Sequence, residues 1–502
     1  MRARQSWIPL LIAVALAGLY VGTAAHTADL AAQTARADLF RRSGFVPYWT
    51  GWYAGVTTSG YSVLSPPLLG WLGPTWLGAL CVPATTAFAV PLLEGAPRRI
   101  AGAVAVAVMS TLDVVSGRTT FAVGMVFVVA TLLAVRRRRL GYTIAASLAS
   151  TAASPVAGVL LLLIAVGVAL ADRTRRRAAS AAAAAAVVVL IAVAVLSGSD
   201  GPGREPFSTV SLLLTLGTVA VVAIARVSRT VAIVAAVTVA AMLLIFLVPS
   251  PLGGNITRLA ILGTVPAVVA TSTLRPRLLG GAAIVAALLP LGQLVNDVAA
   301  ASHADGSTTF TDPLSAALMH QPDRSDHRLE LVDTATHWPS TYLLPQMALA
   351  RGWERQVDET RNPEFYGDAP LNPHTYRQFL RRNAVGWVAV ARGVPLDYGS
   401  VRESQLISTG LSYLRVVWRD PNWTLYAVDR PSPIVAQPGK TLASTDTGFV
   451  LSLPTAGRYA MRLRWSPYLA VTGAAVSEGP GDDTVISVVR GGTYQLRSRW
   501  TL

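Results

Sequence analysis

Long apolar segments separated by short polar connections fill the first 300 residues of the chain. A helix needs about 20 apolar residues to cross about 30 Å of hydrocarbon, and shorter runs can be tilted, broken or re-entrant. The pattern predicts a polytopic α-helical membrane domain over residues 1–300 with about 11 transmembrane helices. The predicted segments lie near 7–25, 68–93, 100–115, 119–135, 140–153, 155–171, 179–197, 208–225, 230–248, 257–273 and 278–295. The pieces at 100–115 and 140–153 are the shortest.

Arginine clusters mark every second connection between these segments. Under the positive-inside rule such clusters face the cytoplasm. They predict a topology with the N-terminus inside and the C-terminus outside, in which Arg2 and Arg4 precede an uncleaved first helix. The clusters are Arg98/Arg99, Arg136 to Arg139, Arg173 with Arg175 to Arg177, Arg226/Arg229 and Arg275/Arg277. The predicted location is the plasma membrane of a bacterium.

The pattern changes after residue 300, and no later apolar run is long enough to span a membrane. Residues 301–335 are polar and are predicted to be a linker with a lateral helix. Residues 336–433 combine helical spacing, as in TYLLPQMALARGW and NPHTYRQFLRRNAV, with strand-like pieces such as GWVAVARG. Residues 434–502 alternate apolar and polar positions between Gly, Pro and Asp turns. We therefore expect an exported α/β domain followed by a β-sandwich.

Composition supports a membrane protein and argues against a nucleic-acid partner. The mean hydropathy is +0.47, and 14% of the 502 residues are charged, against about 25% in soluble domains. Residues 1–300 hold 22 basic and 8 acidic side chains, and residues 301–502 hold 20 and 19. The net charge of +15 therefore follows membrane topology. The absence of P-loop, HExxH, CxxC and GxSxG motifs weighs against ATP-driven transport and serine hydrolysis.

A polar and aromatic loop, residues 26–67, lies between the first two apolar segments. It contains the acids Asp29 and Asp38, a basic cluster, and aromatic pairs. Ionisable groups at membrane depth are energetically costly, so they tend to be paired or functional. The few other charges on the same predicted side include Asp113, Arg118 and Arg258. Asp113 and Arg118 either neutralise each other at the end of a helical hairpin or contribute to a site.

This arrangement resembles the GT-C superfamily of polytopic glycosyltransferases, which take sugars from polyprenyl-phosphate donors at the outer membrane face. The shared features are one helix, an external loop with an early acid, many spans and a terminal exported domain. Asp29 followed by ARADLFRRSGFVPYWTGWYAG, together with HWPS at 337–340 and RGWERQVD at 351–358, also resembles actinobacterial membrane proteins of uncertain activity.

The resemblance implies a general base and a phosphate-binding site. A carboxylate must take the proton of the attacking sugar hydroxyl, and cations or a divalent metal must stabilise the departing phosphate. Asp29 is the predicted base. Asp38 is the alternative base, or a metal or acceptor ligand. The predicted phosphate ligands are Arg118 and Arg258, with Arg36, Arg41 or Arg42 as alternatives. No metal ligand set is identified.

Aromatic side chains are the predicted acceptor contacts, because their faces stack on sugars. In the loop these are Trp49, Trp52 and Tyr53. In the exported half, the segment 337–366 contains His337, Trp353 and Glu354. This segment either binds a saccharide or headgroup, or forms a satisfied ion-pair and packing cluster. A zinc site at His337 is not expected, since no second histidine lies at ligand spacing.

The sequence thus favours a membrane glycosyltransferase that moves a sugar, hexosyl or pentosyl, from a polyprenyl-phosphate donor to a cell-envelope glycan or lipid acceptor. Its partners would be membrane lipid, the lipid-linked sugar and the acceptor. Two alternatives stay open. One is a transporter or flippase of lipid-linked saccharide, and the other is a non-enzymatic scaffold for envelope assembly.

Overall fold

The structure is a computed structural model that describes residues 7–23, 25–198, 203–367 and 369–500. Arg2, Arg4 and the last two residues of the predicted β-sandwich lie outside this part of the chain. The described residues form two compact units. The first comprises those within Met1–Gln33 and Ser59–Ala299, and the second those within Thr34–Thr58 and Ala300–Leu502. The two units are called here the helical unit and, after its predicted location, the exported unit.

Each of the eleven predicted apolar segments overlaps at least one helix among the described residues, and the polar helix α2 is additional to them. The helix after the first apolar segment, α2, begins in this unit and continues beyond its boundary at Gln33. The helices are α1 Ile8–Thr23, α2 Ala28–Ser43, α3 Ser65–Leu72, α4 Pro74–Leu92, α5 Arg99–Val115, α6 Thr119–Arg136, α7 Leu140–Ala153, α8 Pro155–Ala171, α9 Arg176–Ser197, α10 Thr209–Ile224, α11 Arg229–Leu247, α12 Thr257–Thr271 and α13 Pro276–Ala300.

Six helical segments within the described residues are long and apolar enough to cross a membrane. They are Pro74–Leu92, Thr119–Arg136, Arg176–Ser197, Arg229–Leu247, Gly253–Thr271 and Pro276–Ala300. The number is seven if α1 and α2, a bent pair, form one span. Pro155–Ala171 and Thr209–Ile224 are shorter apolar helices. A helical membrane-type unit is therefore confirmed, while the eleven-span topology stays a prediction.

Small polar side chains join several of these helices. Ser147 on α7 donates a hydrogen bond of 2.7 Å to the carbonyl of Ala182 on α9. Ser150, also on α7, donates one of 3.1 Å to the carbonyl of Gly124 on α6. Small residues let helix backbones approach closely, and these carbonyls give the serine hydroxyls an acceptor that lipid would not supply. These contacts stabilise the packing of α6, α7 and α9.

The exported unit contains a four-stranded mixed sheet with the order β3-β4-β6-β5. Strand β3 is parallel to β4, and the other pairings are antiparallel. Its strands are β3 Arg328–Val332, β4 Val385–Ala391, β5 Leu414–Arg419 and β6 Trp423–Val428, and its helices are α14 Thr308–Met319, α15 Trp338–Leu343, α16 Arg355–Arg361, α17 Pro373–Arg382 and α18 Tyr398–Ser408.

A β-sandwich of two antiparallel sheets ends the described chain, as the alternating pattern predicts. One sheet has the order β10-β13-β8-β7 and the other β11-β12-β9. The side chains of Leu451, Met461, Ile486 and Leu496 are fully buried between them. The strands are β7 Lys440–Thr445, β8 Gly448–Leu453, β9 Gly457–Arg464, β10 Leu469–Val471, β11 Ala475–Glu478, β12 Asp483–Val488 and β13 Gly492–Ser498.

Two expectations for this half of the chain differ from the structure. The helix expected over residues 341–353 ends at Leu343, because Pro345 cannot donate a helical backbone hydrogen bond and disfavours helix at the residue before it. Residues 328–332, in the predicted linker, form strand β3. All five of its residues are buried, including Arg328 and Glu330, so the polar sequence concealed a core strand.

The polar segment 26–67, predicted as a loop, contains regular secondary structure. Its N-terminal part is helix α2, and a short hairpin follows with β1 Tyr48–Trp49 paired to β2 Val56–Thr57. Residues 34–58 belong to the exported unit. There Thr50 N donates to the carbonyl of Asp446, and Leu349 N donates to the carbonyl of Gly51. The loop is thus divided, with Asp29 in the helical unit and Asp38 in the exported unit.

Candidate functional site

Five ionisable side chains of the helical unit gather at the ends of four helices and one turn. Asp29 lies in the first turn of α2, Asp113 in the last turn of α5, and Arg118 directly before α6. Arg258 begins α12, and Asp297 lies near the end of α13. Each of the five interacts electrostatically with others of the group. They are called here the acid–arginine cluster.

The turn between α5 and α6 brings Arg118 to Asp29. Gly117 has a φ of +85°, and a Cβ there would lie 2.3 Å from the backbone nitrogen of Leu30. Only glycine permits this conformation and this close approach. Thr27 Oγ1 also donates to the carbonyl of Val115 at 3.2 Å. The first turn of α2 is therefore held against the α5–α6 turn.

Arg118 Nε donates a 3.1 Å hydrogen bond to Asp29 Oδ2. The Asp29 side chain keeps 35% of its surface exposed, against 19% for Arg118. Arg118 thus forms its direct ion pair with Asp29, and it interacts with Asp113 only electrostatically. Mutual neutralisation of Asp113 and Arg118 therefore describes only part of the arrangement. Asp113 is 3% exposed, and its Oδ1 has no hydrogen-bond partner among the described residues.

Arg258 has no ion pair or hydrogen bond within the described chain. Its guanidinium lies over the ring of Phe121, at 5.1 Å from the centroid. Asp297 Oδ2 is buried and likewise lacks a hydrogen-bond partner in the part of the chain that the structure describes. Buried polar groups are normally paired. An unpaired arginine close to unsatisfied carboxylate oxygens is typical of a site that binds a polar ligand.

A buried amide extends the polar character of this region. Gln33 Nε2 donates to Tyr61 Oη at 2.5 Å, and Gln33 Oε1 accepts a hydrogen bond from Thr120. Tyr61 interacts electrostatically with Arg258. A hydrogen-bonded chain of polar side chains from α2, α6 and the segment before α3 is thus connected to the cluster through Tyr61 and Arg258.

A large apolar cavity starts at the acid–arginine cluster and extends into the helical unit. Its volume is about 560 Å³. Asp113 and Arg258 line one end, and Arg136 and Thr271 line the other. Between them the walls are mainly aliphatic side chains of α4, α5, α6, α8, α10, α11 and α12. The cavity combines a charged entrance with a hydrocarbon-like interior.

The other predicted phosphate ligands lie in the exported unit and have carboxylate partners there. Arg36 forms an ion pair with Glu354. Arg42 Nε donates to Asp446 Oδ2 at 2.7 Å. Arg41 pairs with Asp38 at 2.6 Å, and both side chains are partly exposed. The structure thus brings Asp29, Arg118 and Arg258 together, and it places Asp38 and the loop arginines in a different unit.

The predicted aromatic acceptor contacts of the loop are buried in the core of the exported unit. Trp49 and Trp52 are at most 1% exposed, and their ring centroids are 4.4 Å apart. Tyr53 Oη donates to the carbonyl of Gly352 at 2.5 Å and accepts from Glu354 N at 2.9 Å. Their environment indicates packing.

His337 is held between two aspartates. Its Nδ1 lies 3.1 Å from Asp333 Oδ2, and its Nε2 lies 3.3 Å from Asp397 Oδ1. Its ring stacks on Trp353 with a centroid distance of 3.8 Å. Burial lowers the pKa of His337, but the charge of Asp397 and the hydrogen bond to Asp333 outweigh it and raise the pKa to about 10. The imidazole is therefore a buried cation at neutral pH.

A second buried ionic group surrounds Arg351. Its Nε donates to Glu330 Oε1 at 2.7 Å, its Nη1 lies 3.4 Å from Asp358 Oδ2, and its Nη2 donates to Glu403. Burial raises the pKa of Glu330 and of Glu403, and the nearby Arg351 charge only partly opposes this. For the segment 337–366, these contacts favour the ion-pair and packing interpretation.

Sequence reasoning missed the part that Asp297 takes in the cluster. The available signal was an acid directly after the last predicted apolar segment, near the membrane boundary where an unpaired charge is costly. Among the described residues no group of three or more His, Cys, Asp or Glu side chains is arranged to hold a metal ion.

No family model and no curated protein matches the chain. Two solved structures of ArnT from Cupriavidus metallidurans are similar to it. The apo structure has a TM-score of 0.49 at 15% sequence identity, covering 85% of this chain and 98% of that one. The structure bound to undecaprenyl phosphate has a TM-score of 0.46 at 13% identity, covering 84% of this chain and 98% of that one.

Proposed function

We propose that this protein is a membrane glycosyltransferase that moves a sugar from a polyprenyl-phosphate donor to a hydroxyl acceptor. The observation that carries the proposal is Arg258, a guanidinium without an ion pair among the described residues, at the charged end of a cavity of about 560 Å³. An amphiphile with an anionic head and one long apolar chain complements both features. A polyprenyl phosphate has this chemistry.

The donor phosphate is proposed to bind at Arg258, with Arg118 as its second cationic neighbour. A phosphate oxygen accepts charge-assisted hydrogen bonds from a guanidinium, often in pairs. Charge on the phosphate increases as the bond to the sugar breaks, so fixed cations at this position stabilise the transition state more than the ground state.

Asp29 is the proposed general base. Its carboxylate is accessible, and Arg118 holds one of its oxygens at 3.1 Å. In the proposed step, the acceptor hydroxyl oxygen forms a bond to the anomeric carbon and its proton passes to Asp29. The bond between the anomeric carbon and the phosphate oxygen breaks, and the polyprenyl phosphate leaves with that electron pair. Asp38 stays the alternative base, although its pairing with Arg41 favours a surface role.

The acceptor is proposed to be a cell-envelope glycan or lipid. Full burial of Trp49 and Trp52 favours structural roles for these side chains, and the ion pairs of Arg36 and Arg42 favour the same for them. His337, Trp353 and Glu354 also have partners inside the exported unit. The proposed acceptor therefore reaches the acid–arginine cluster through the exposed side of Asp29.

The proposed topology has eleven spans, the N-terminus inside and the exported unit outside the plasma membrane. It is supported by the arginine clusters, which alternate along the chain. In this topology Asp29, Arg118 and Arg258 face the outer side, and transfer occurs at the outer face.

The test is transfer of labelled sugar from a polyprenyl-phosphate sugar by the purified protein in nanodiscs, with an envelope glycan or lipid extract as acceptor. Asp29→Asn should insert and fold normally but lose transfer by about 10²-fold or more, because general-base catalysis typically contributes about 10²–10⁴. The exposed Asp312→Asn is the matched control and should keep wild-type activity. Full activity of Asp29→Asn would refute the assignment of the base. Translocation of the lipid-linked sugar without a new glycosidic bond would favour the flippase instead.

A further inference from the structure

The apolar cavity follows helix α12 over nearly its whole length. Arg258 and Thr271 both line it. Thirteen residues separate them, which corresponds to about 20 Å at 1.5 Å per helical residue. The cavity is therefore long relative to its volume.

The volume fits one hydrocarbon chain of defined length. A 150 Å³ apolar cavity holds one benzene, which gives about 25 Å³ per carbon atom. At that packing, 560 Å³ accommodates about 22 carbon atoms. Spread over about 20 Å, this is about one carbon per ångström, close to the value for a single extended chain with C–C bonds of about 1.5 Å. Two chains side by side would need about twice the volume.

Two arginines line the far end of the cavity. Arg136 Nη1 and Nη2 donate to the carbonyls of Leu92 and Glu94 at 2.8 and 2.5 Å. Arg175, which also lines the cavity, pairs with Asp172 at 3.2 Å. Extending an apolar chain past these guanidiniums would remove them from water and from their partners, which is unfavourable. A longer chain has to leave the cavity toward the lipid.

We propose that this cavity limits how much of the lipid carrier's chain contributes to binding. It holds a single chain of about four five-carbon isoprenoid units, and units beyond these do not contribute to binding. This inference rests on the proposed function, since it assigns the occupant of the cavity as the chain of the donor whose phosphate binds at Arg258. It further implies that a two-chain glycerophospholipid phosphate is a poor ligand.

The test compares donors of increasing chain length at equal mole fraction in nanodiscs, so that partitioning into the lipid does not enter the result. The Michaelis constant should fall about tenfold between ten-carbon and twenty-carbon donors, because each added unit gains packing contacts with the cavity walls. It should then stay within about twofold for longer chains, since the added carbons lie outside these contacts.

Two substitutions that place a leucine side chain in the cavity should shorten the chain length beyond which the Michaelis constant no longer falls. Gly263 lines the cavity five residues beyond Arg258, or about 7.5 Å, and a Cβ there would meet only Leu259 Cδ1, at 3.7 Å. Gly263→Leu should therefore abolish the benefit of carbons beyond about the eighth. Ala267 lines the cavity about 13.5 Å from Arg258. Ala267→Leu should move the limit to about 15 carbons.

Gly280→Leu is the matched control, because a Cβ at Gly280 meets no atom within 4 Å and Gly280 does not line the cavity. It should keep the wild-type dependence on chain length. No transfer with any donor would refute the proposed function itself. Transfer with equal Michaelis constants for ten-carbon and twenty-carbon donors would leave the proposed function intact. It would refute the proposal that the cavity binds about four isoprenoid units of the donor chain. The same dependence in Gly263→Leu, Ala267→Leu and Gly280→Leu would overturn it as well.

Discussion

Replacing Arg351 with methionine should strongly destabilise the exported unit. The Arg351 guanidinium is 7% exposed and neutralises Glu330 and Glu403, whose side chains are 0% exposed. Methionine keeps much of the aliphatic volume against Phe365, over whose ring the guanidinium lies at 4.0 Å. It removes the charge, however, and leaves two buried carboxylates uncompensated. Breaking a buried ion pair on one side costs about 3–5 kcal/mol.

The assay is thermal unfolding of the full chain in nanodiscs, followed by tryptophan fluorescence. Of the 12 tryptophans, all but Trp7, Trp71 and Trp76 belong to the exported unit, so the signal reports mainly on that unit. A loss of about 3–5 kcal/mol in a unit of this size should lower Tm by about 10 °C at pH 7.

Two comparisons test the physical reason. Arg355→Met removes a partly exposed arginine paired with Glu359 at 2.8 Å, and should cost less than about 1 kcal/mol. Adding Glu403→Gln to Arg351→Met should recover part of the loss. Without the guanidinium, the pKa of the buried Glu330 and Glu403 carboxyls is higher in the folded state than in the unfolded state. Protonation at low pH therefore favours the folded variant, and the loss of stability in Arg351→Met should be smaller at pH 5 than at pH 7. Equal Tm values for Arg351→Met and Arg355→Met at pH 7 would refute the reasoning.

Two further predictions concern a buried histidine and a glycine turn. The pKa of His337 is raised to about 10, so its contribution to stability is complete below about pH 6.5 and is lost as the pH rises through about 10. Unfolding temperatures from pH 6 to 10.5 should fall less steeply in Asp397→Asn than in wild type; parallel curves would contradict this. Gly117→Ala introduces a Cβ 2.3 Å from Leu30 N and should lower sugar transfer at least about tenfold by displacing the neighbouring ion pair. Gly217→Ala, with no atom within 4 Å of the added Cβ, should have no effect on sugar transfer. Equal activity of the two variants would contradict the role of the Gly117 turn in positioning the ion pair.

The helices and the β-sandwich could be predicted from the sequence because their signals are local. A run of apolar residues such as 155–171 requires a backbone that satisfies its own hydrogen bonds in lipid, and it forms α8 Pro155–Ala171. The alternation in residues 457–464 requires one buried face, and it forms β9 with Tyr459, Met461 and Leu463 buried. Neither prediction depends on distant contacts.

The division of the first loop could not be predicted in the same way. Asp29 and Asp38 lie on one helix, nine residues apart, yet they belong to different units. The reason lies in contacts between residues far apart in the chain, such as Arg42 with Asp446. Strand β3 was missed for a related reason, because Glu330 is compensated by Arg351, 21 residues later.

The candidate site was predictable in part. Asp29, Arg118 and Arg258 could be grouped from topology, since each was expected at the same membrane face. Asp297 was not assigned to the site, because its relation to Ser116 and Arg118 depends on how α13 packs against α5 and α6. The cavity was also beyond sequence reasoning, since it is formed by seven helices and has no motif.

The most direct test of the central claim is a structure of the full chain in nanodiscs with a bound polyprenyl phosphate. The phosphate should lie within hydrogen-bond distance of Arg258 and beside the Asp29–Arg118 pair, with the first isoprenoid units inside the cavity along α12. Density for the phosphate at Arg36 or Arg42, or for a chain that lies outside the cavity, would contradict the account.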